Sequence, residues 1–165
     1  PRPWTFGMKE WKRRSKRRNR SRFGGVRWSS YERCFLGASL DTVGVQWYWK
    51  YEYPEENLTT SSGPAVSGVD VGNQPMVIPE DTKLVIRTHS EDVIHAFHAP
   101  EIGLKADAVP GQTNYLITEV TEKGTYQLYC AEFCGQGHSE MLGTIEVVEE
   151  EKYEEWVEDP ENVSV

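Results

Sequence analysis

Alternation of apolar and polar side chains identifies the first element of this chain. Residues 43–53 (VGVQWYWKYEY) alternate and are rich in aromatic and β-branched residues, which is typical of a half-buried β-strand. Further segments have the same character and are separated by glycine, proline, asparagine and aspartate. They are residues 83–88, 92–98, 113–118, 124–129 and 143–148. Short strands at such intervals predict an all-β sandwich or barrel.

The segments outside these strands predict the remaining organisation. Residues 149–159 are the one helical candidate, because Tyr153, Trp156 and Val157 share a helical face and Pro160 would end the helix. Residues 54–73 are rich in serine, glycine and turn formers, so we expect a connection there. We therefore predict an N-terminal extension over residues 1–42, a β domain over residues 43–149, and a C-terminal helix and tail over residues 150–165.

Charge separates the predicted extension from the rest of the chain. The net charge is −8, but the first 33 residues carry twelve basic and two acidic side chains, whereas the other 132 carry six basic and 24 acidic ones. A basic arm on an acidic domain suggests two different partners. No nucleic-acid-binding motif accompanies the arm, so we expect no nucleic acid and favour a partner surface, lipid headgroups or residual targeting sequence.

Hydropathy and one isolated thiol add two expectations. No run of 18 or more apolar residues is present, so we expect a soluble chain without a transmembrane helix of its own. Cys34 lies in the basic, aromatic region without ligand partners nearby, and we interpret it as a bystander.

The segment from Cys130 to Met141 concentrates the candidate chemistry. Two thiols, an imidazole and a thioether occur at the spacing C-x-E-x-C-x3-H-x2-M, and this soft ligand set favours copper over magnesium or calcium. A disulfide would explain neither His138 nor Met141, and methionine is a poor ligand for a structural zinc ion. Two cysteines four residues apart could bridge a pair of metals. A further nitrogen ligand should come from elsewhere, with candidates His89, His95 and His98.

Four blocks of sequence, in this order, resemble the copper-binding domain of cytochrome c oxidase subunit II. They are residues 46–53 (QWYWKYEY), 90–97 (SEDVIHAF), 103–111 (GLKADAVPG) and the Cys130–Met141 segment. The resemblance covers roughly residues 43–157. It implies a cupredoxin-like Greek-key β-barrel over residues 43–149 that holds a dinuclear, mixed-valence copper centre, usually called CuA.

The resemblance also implies a ligand set, position by position. Cys130 and Cys134 would be the bridging thiolates, and His95 and His138 would each bind one copper. Met141 and the backbone carbonyl of Glu132 would be the two weak ligands. The match at residues 92–95 selects His95 over His89 and His98, which ligand chemistry alone leaves open.

Other positions receive roles from the same resemblance. The Glu132 carboxylate would bind magnesium at the interface with subunit I, with Asp107 near that ion. Trp47 and Tyr48 would take up electrons from cytochrome c, although core packing is the alternative on spacing alone. Nearby carboxylates would dock that basic partner; they are Glu52, Glu55, Glu56, Asp70, Glu91 and Asp92.

The function implied is electron uptake by mitochondrial cytochrome c oxidase, on the intermembrane-space face of the inner membrane. The chain would relay electrons to the haem of subunit I, where oxygen is reduced to water with proton pumping, and would contain no catalytic residue itself. The two transmembrane helices that precede this domain in the family are not present, which resembles the split subunit II of some algae and protists. The expected partners are therefore cytochrome c, subunit I, a separate membrane-anchored half of subunit II and other complex IV subunits.

Two other functions remain as alternatives. The copper domain of a nitrous-oxide reductase has the same ligand pattern, but typically has tryptophan where this chain has Glu132. A copper-delivery protein would share the soft ligands, but it would need an exposed, exchangeable site and would have no use for the aromatic block at Trp47.

Overall fold

The computed structural model describes residues 38–63 and 72–160, which form two five-stranded β-sheets and one α-helix. The strands are β1 (Ala38–Val45), β2 (Tyr48–Tyr53), β3 (Leu58–Ser62), β4 (Met76–Pro79), β5 (Lys83–Ser90), β6 (His95–Ala99), β7 (Leu104–Ala108), β8 (Asn114–Glu119), β9 (Gly124–Cys130) and β10 (Leu142–Val148). The first sheet has the order β3-β2-β1-β5-β8, and the second has the order β4-β10-β9-β6-β7. The all-β, cupredoxin-like fold class is therefore confirmed.

The predicted strand at residues 43–53 is instead a hairpin. β1 and β2 are antiparallel, with Val45 opposite Tyr48, so the chain turns at Gln46 and Trp47. The sequence conceals this turn, because the alternation continues through it without glycine, proline, asparagine or aspartate. β1 begins at Ala38, within the last residues of the predicted 1–42 extension, and residues 1–37 lie outside the described residues.

Three strands were not predicted. β3 lies within the predicted connection at residues 54–73 and extends the first sheet along β2. β4 is a four-residue buried run that pairs in parallel with β10, and β7 pairs with β6. Short or serine- and threonine-rich strands of this kind give a weak periodic signal, because pairing with neighbours rather than their own pattern fixes them.

The core fills the space between the two sheets. Trp49, Tyr51, Phe97 and Leu128 are fully buried there. The rings of Trp49 and Phe97 meet edge to face with centroids 5.8 Å apart, which joins β2 of one sheet to β6 of the other. Burying such side chains contributes about 1.5–3 kcal/mol each, and it fixes the strand ends that present the candidate ligands.

The helix α1 (Glu150–Glu158) agrees with the prediction for residues 149–159. Tyr153 and Trp156 form its buried face, and the Trp156 ring packs against Tyr53 of β2 with ring centroids 5.1 Å apart. None of the helices in residues 38–63 and 72–160 is long and apolar enough to cross a bilayer.

Candidate metal centre

The candidate ligands converge because two neighbouring strands and one loop end at the same place. β9 ends at Cys130, and β10 begins directly after Met141, whose carbonyl accepts a hydrogen bond from the Cys130 N–H at 3.1 Å. The Ala131 N–H donates to the Ala96 carbonyl at 2.9 Å, which ties this loop to β6. β6 itself begins with His95. The loop between Cys130 and Met141 is hereafter the ligand loop.

The two cysteines form the centre of the cluster. Cys130 and Cys134 are buried, free thiols with their Sγ atoms 3.6 Å apart, far longer than the bond of about 2.05 Å in a disulfide. A metal bonded at about 2.3 Å to each sulfur can join sulfurs up to about 4.6 Å apart. The separation therefore fits metals shared between the two thiolates.

Two imidazole nitrogens and one thioether face these sulfurs. His95 Nδ1 lies 3.8 Å from Cys130 Sγ and 3.1 Å from Met141 Sδ. His138 Nδ1 lies 3.6 Å from Cys134 Sγ, and Met141 Sδ lies 3.8 Å from the same sulfur. Among the described residues, the ligand atoms of His95, Cys130 and Cys134 all lie within 4.8 Å of one another.

One backbone oxygen completes the arrangement. The Glu132 carbonyl oxygen lies 3.2 Å from Cys130 Sγ, whereas its side chain is exposed. The structure thus brings together all six groups that the sequence selected as copper ligands, and their soft donor set suits copper.

The other two candidate histidines lie outside this arrangement. His89 is on β5 opposite Val43, and His98 Nδ1 is 3.2 Å from the Leu104 carbonyl oxygen.

Burial and mutual contact separate the ionisation of the two thiols. Burial disfavours the thiolate of Cys130, but the contact with His95 and nearby backbone hydrogen bonds outweigh it, so the pKa of Cys130 is lowered. Burial and the adjacent Cys130 charge raise the pKa of Cys134. The metal-free pair therefore loses its first proton much more easily than its second, and metal binding must displace the second one.

Asp92 orients the His95 ring from the side opposite the sulfurs. Its Oδ1 lies 2.8 Å from His95 Nε2, and its carboxylate accepts hydrogen bonds from the backbone N–H groups of Gln46 at 2.7 Å and Val93 at 2.6 Å. Burial alone would lower the pKa of His95, but the contacts with Cys130 and Asp92 outweigh this effect, so the pKa of His95 is raised. Sequence reasoning assigned Asp92 to docking alone, although a carboxylate three residues before a ligand histidine could have indicated this contact.

The predicted electron-uptake residue Trp47 contacts the ligand loop directly. Its Nε1 donates to the Cys134 carbonyl at 3.2 Å, and its ring covers Gly137 so closely that a Cβ there would lie 2.5 Å from Trp47 Cδ2. Tyr48, the next residue, is half-buried at the start of β2. Sequence reasoning selected no role for Gln46, whose side-chain amide donates to the same Cys134 carbonyl at 2.7 Å.

The remaining predicted residues lie at the surface or in half-buried positions. Lys50 Nζ lies 3.1 Å from a carboxylate oxygen of Glu52 and 2.5 Å from one of Glu91. Glu55 accepts a hydrogen bond from Ser39 at 3.4 Å, and Glu56 is half-buried.

Two further residues were predicted, Asp107 and Asp70. Asp107 is exposed on β7, and its backbone carbonyl accepts a hydrogen bond from the Asn114 side chain at 2.6 Å. Asp70 lies outside the described residues.

The domain is of the cupredoxin-like, metal-binding class. It has two facing β-sheets and, at the ends of their strands, a buried cluster of cysteine, histidine and methionine. Within that class, the family model for the periplasmic domain of cytochrome c oxidase subunit II matches residues 38–148, and the chain belongs to this family.

Individual relatives agree with the family match. The chain is 39% identical over 129 residues to a probable cytochrome c oxidase subunit 2 of Rickettsia bellii, covering 72% of this chain and 48% of that protein. It is 37% identical over 128 residues to cytochrome c oxidase subunit 2 of Branchiostoma floridae, covering 72% of this chain and 55% of that protein. The chain thus spans about half the length of the curated relatives it matches.

A solved structure supports the same fold. The crystal structure of the periplasmic domain of subunit II of cytochrome oxidase from Bradyrhizobium japonicum aligns with a TM-score of 0.65 and 33% sequence identity. The alignment covers 73% of this chain and 91% of that one.

Proposed function

We propose that this chain holds a dinuclear copper centre of the CuA type and relays electrons within a cytochrome c oxidase. The observation that carries the proposal is the pair of buried, free thiols 3.6 Å apart, faced by His95, His138 and Met141. In this proposal the thiolates of Cys130 and Cys134 would hold both metals. Bound copper supplies one-electron redox chemistry at this position.

Each of the other four ligands would bind one of the two metals. His95 and His138 would supply the imidazole nitrogens, since their Nδ1 atoms lie 3.8 Å from Cys130 Sγ and 3.6 Å from Cys134 Sγ. Met141 and the Glu132 carbonyl would supply the two weak ligands. Their donor atoms border the sulfur pair, with Met141 Sδ 3.8 Å from Cys134 Sγ and the Glu132 oxygen 3.2 Å from Cys130 Sγ.

Burial and rigidity support a relay rather than a site of substrate chemistry. His95 and Met141 are fully buried, and Cys130 and Cys134 are 8% and 3% exposed, so the ligands themselves exclude water from most of the centre. The cluster is fixed at both ends by β-strands, and the Asp92 carboxylate holds His95. Ligands that move little as the charge of the centre changes keep the reorganisation energy of electron transfer small.

The side from which electrons arrive is proposed to be the turn at Trp47 and Tyr48. Trp47 supports this role because its indole N–H contacts the carbonyl of a bridging cysteine. Cytochrome c, as the basic donor, would dock on the neighbouring carboxylates; of those predicted, the structure describes Glu52, Glu55, Glu56, Glu91 and Asp92. Asp92 contributes long-range charge rather than a direct contact, because its oxygens already bind His95 and two backbone N–H groups.

The site of electron delivery and the partners complete the proposal. Electrons would pass to the haem of subunit I, where oxygen is reduced with proton pumping. The exposed Glu132 carboxylate would bind magnesium at that interface, with Asp107 nearby. A separate, membrane-anchored half of subunit II and other complex IV subunits would hold the domain at the intermembrane-space face of the mitochondrial inner membrane. Family membership supports the oxidase over the nitrous-oxide reductase and the copper-delivery alternatives.

Copper loading and electron paramagnetic resonance test the dinuclear centre. Copper-loaded protein should be purple and give a multi-line signal from one electron shared by two coppers, with two coppers bound per chain. Cys134→Ser should abolish this signal, because it removes a bridging sulfur. Cys34→Ser is the matched control and should retain it, since Cys34 is the predicted bystander. A colourless zinc protein, or a single-copper spectrum from the unaltered chain, would refute the proposal.

Electron uptake is tested separately with cytochrome c. Trp47→Phe keeps an aromatic ring but removes the indole N–H, so it should slow reduction by cytochrome c while two coppers remain bound. Trp156→Phe, on the buried face of α1, is the control and should leave that rate unchanged. Equal rates for Trp47→Phe and the unaltered protein would exclude Trp47 from the electron path.

A further inference from the structure

The turn between β1 and β2 reaches across the molecule to the ligand loop. Gln46 Nε2 donates a hydrogen bond of 2.7 Å to the Cys134 carbonyl, 88 residues further along the chain. Trp47 Nε1 donates to the same oxygen at 3.2 Å. Because a carbonyl oxygen has two lone pairs, both donors can be satisfied at once. The carbonyl of Cys134 in the ligand loop is thus fixed by two side chains from the turn between β1 and β2.

The backbone of the same residue fixes the opposite side of the cluster. The Gln46 N–H donates to Asp92 Oδ2 at 2.7 Å, and Asp92 Oδ1 contacts His95 Nε2 at 2.8 Å. Gln46 is therefore bonded directly to Cys134 and, through one carboxylate, to His95. Gln46 thus contacts both pairs of candidate ligands: His95 Nδ1 lies 3.8 Å from Cys130 Sγ, and Cys134 Sγ lies 3.6 Å from His138 Nδ1.

Close packing makes this connection rigid. A Cβ built on Gly135 would lie 3.0 Å from Gln46 Nε2, so the amide rests directly on the loop backbone. Gly135 has a φ of +119°, a conformation that side-chain-bearing residues rarely adopt. A loop with glycines at 135 and 137 has little stiffness of its own. Its position therefore depends on contacts from outside, and the turn at residue 46 supplies them.

We propose that Gln46 is a positioning residue, which holds the Cys134 end of the ligand loop and the Asp92–His95 pair at a fixed separation across the metal centre. This inference rests on the proposed dinuclear copper function, and it adds a residue that does not itself bind metal. Its side chain limits how far the bridging sulfur can move relative to the imidazole. It also connects the proposed electron-uptake residue Trp47 to the same carbonyl, so the two should move together.

Gln46→Met in the full chain tests the proposal, because methionine keeps the length of glutamine and removes the amide donor. In metal-free protein, amide hydrogen exchange at His138 and Glu140, whose N–H groups donate to the carbonyls of Gly135 and Gly137, should accelerate about three- to tenfold, the effect of losing one net hydrogen bond. In copper-loaded protein, the loss of copper to a chelator should accelerate by a similar factor, and the copper hyperfine splitting should change. Circular dichroism should stay unchanged. Gln112→Met, at an exposed glutamine bonded to Asn114, is the matched control and should alter none of these.

Two further comparisons keep the result decisive. Gln46→Glu preserves the shape of the side chain but places an acceptor beside the Cys134 carbonyl, so amide exchange in the ligand loop should accelerate at least as much as in Gln46→Met. If Gln46→Met fails to fold, Gln46→Glu is compared with the unaltered protein instead. Unaltered exchange, copper loss and hyperfine splitting in a folded Gln46 variant would overturn the proposal. If the unaltered protein lacks the dinuclear spectrum, the proposed function fails, while exchange in the metal-free protein still decides whether Gln46 holds the loop.

Discussion

Replacing Gly44 with alanine is expected to move a proposed copper ligand without altering any ligand. Gly44 is buried on β1, and the His95 ring lies directly against it. A Cβ at residue 44 would be 2.7 Å from His95 Cδ2, 2.9 Å from Cγ and 3.1 Å from Cβ. Ordinary contact begins at 3.4 Å, so the shortest of these distances is 0.7 Å too short. The added methyl group must displace the imidazole or the strand.

The magnitude follows from two opposing effects. Alanine restricts the unfolded chain more than glycine does, which favours the folded protein by about 0.4–1 kcal/mol. Overpacking a filled core costs about 1–3 kcal/mol, and this is the larger effect. We expect a net loss of about 1–2 kcal/mol in the free energy of unfolding. We expect the His95 ring to move rather than the strand, because β1 is hydrogen-bonded on both sides, by β2 and by β5.

Displacing a ligand ring should weaken metal binding more than it weakens the fold. Changes at residues that hold a metal ligand in place typically reduce metal affinity by about 10–100-fold, and we expect the copper affinity to fall by a factor in this range. Competition with a chelator measures the affinity, and urea unfolding of the metal-free protein measures the stability. Gly143→Ala is the matched control: its Cβ would lie 2.6 Å from the Ser62 Oγ and 2.7 Å from the Tyr51 hydroxyl oxygen, and it touches neither a ligand side chain nor the turn at Trp47. It should lose similar stability and retain copper.

One result would refute this reasoning. If Gly44→Ala loses stability but binds copper with unaltered affinity and an unaltered spectrum, the strand rather than the ring has moved. The position of His95 would then not be set by its packing against β1.

Three other predictions concern the core, pH and the metal. Phe97→Ala should lower the free energy of unfolding by about 3–5 kcal/mol, because the ring is fully buried between the sheets; a loss below about 1 kcal/mol in urea unfolding would contradict the assigned packing. Burial raises the pKa of both Tyr51 and Tyr53, so the folded protein holds these protons more tightly than the unfolded chain does. Their stabilisation is complete below the unfolded pKa of about 10 and declines as the pH rises above it, so the melting temperature should fall at alkaline pH, and less steeply in Tyr53→Phe. Copper at about 1,000 times its Kd should stabilise the domain by about 4 kcal/mol, and calorimetry after chelation should show that gain lost.

The candidate site was predictable from the sequence to an unusual extent, because its chemistry is concentrated in one loop. Spacing and ligand softness selected four of the six proposed ligand groups within Cys130–Met141, and the backbone carbonyl of Glu132 and His95 followed from the family resemblance. The structure brings all of them together. Asp92 was selected for its charge alone, although its position three residues before His95 could have indicated the contact of its carboxylate with the His95 ring.

Gln46 shows why the remaining contacts were not predictable. Its partner, the Cys134 carbonyl, is a backbone group 88 residues away, and backbone groups have no sequence signature. The same holds for the fold. Residues 43–53 alternate without a break, yet the chain reverses at residues 46 and 47. Gly44 of β1 pairs with Trp49 of β2, so the inward side changes from even-numbered to odd-numbered residues across the turn. The sequence pattern does not mark this change, because it depends on the partner strand. β4, which pairs in parallel with β10, is likewise fixed by a distant partner rather than by its own pattern.

The pairing of β1 with β5, and the contact of Gln46 with Cys134, have a consequence for the order of assembly. Contacts this distant along the chain make folding slow, in the range of milliseconds to seconds for β-rich domains of high contact order. The ligand geometry can form only after the turn that follows β1 has met the ligand loop. Metal uptake should therefore lag behind folding, and a fragment that ends before β10 should acquire no stable copper. A chain that holds copper must therefore already have brought the turn at Gln46 against the loop that contains Cys134.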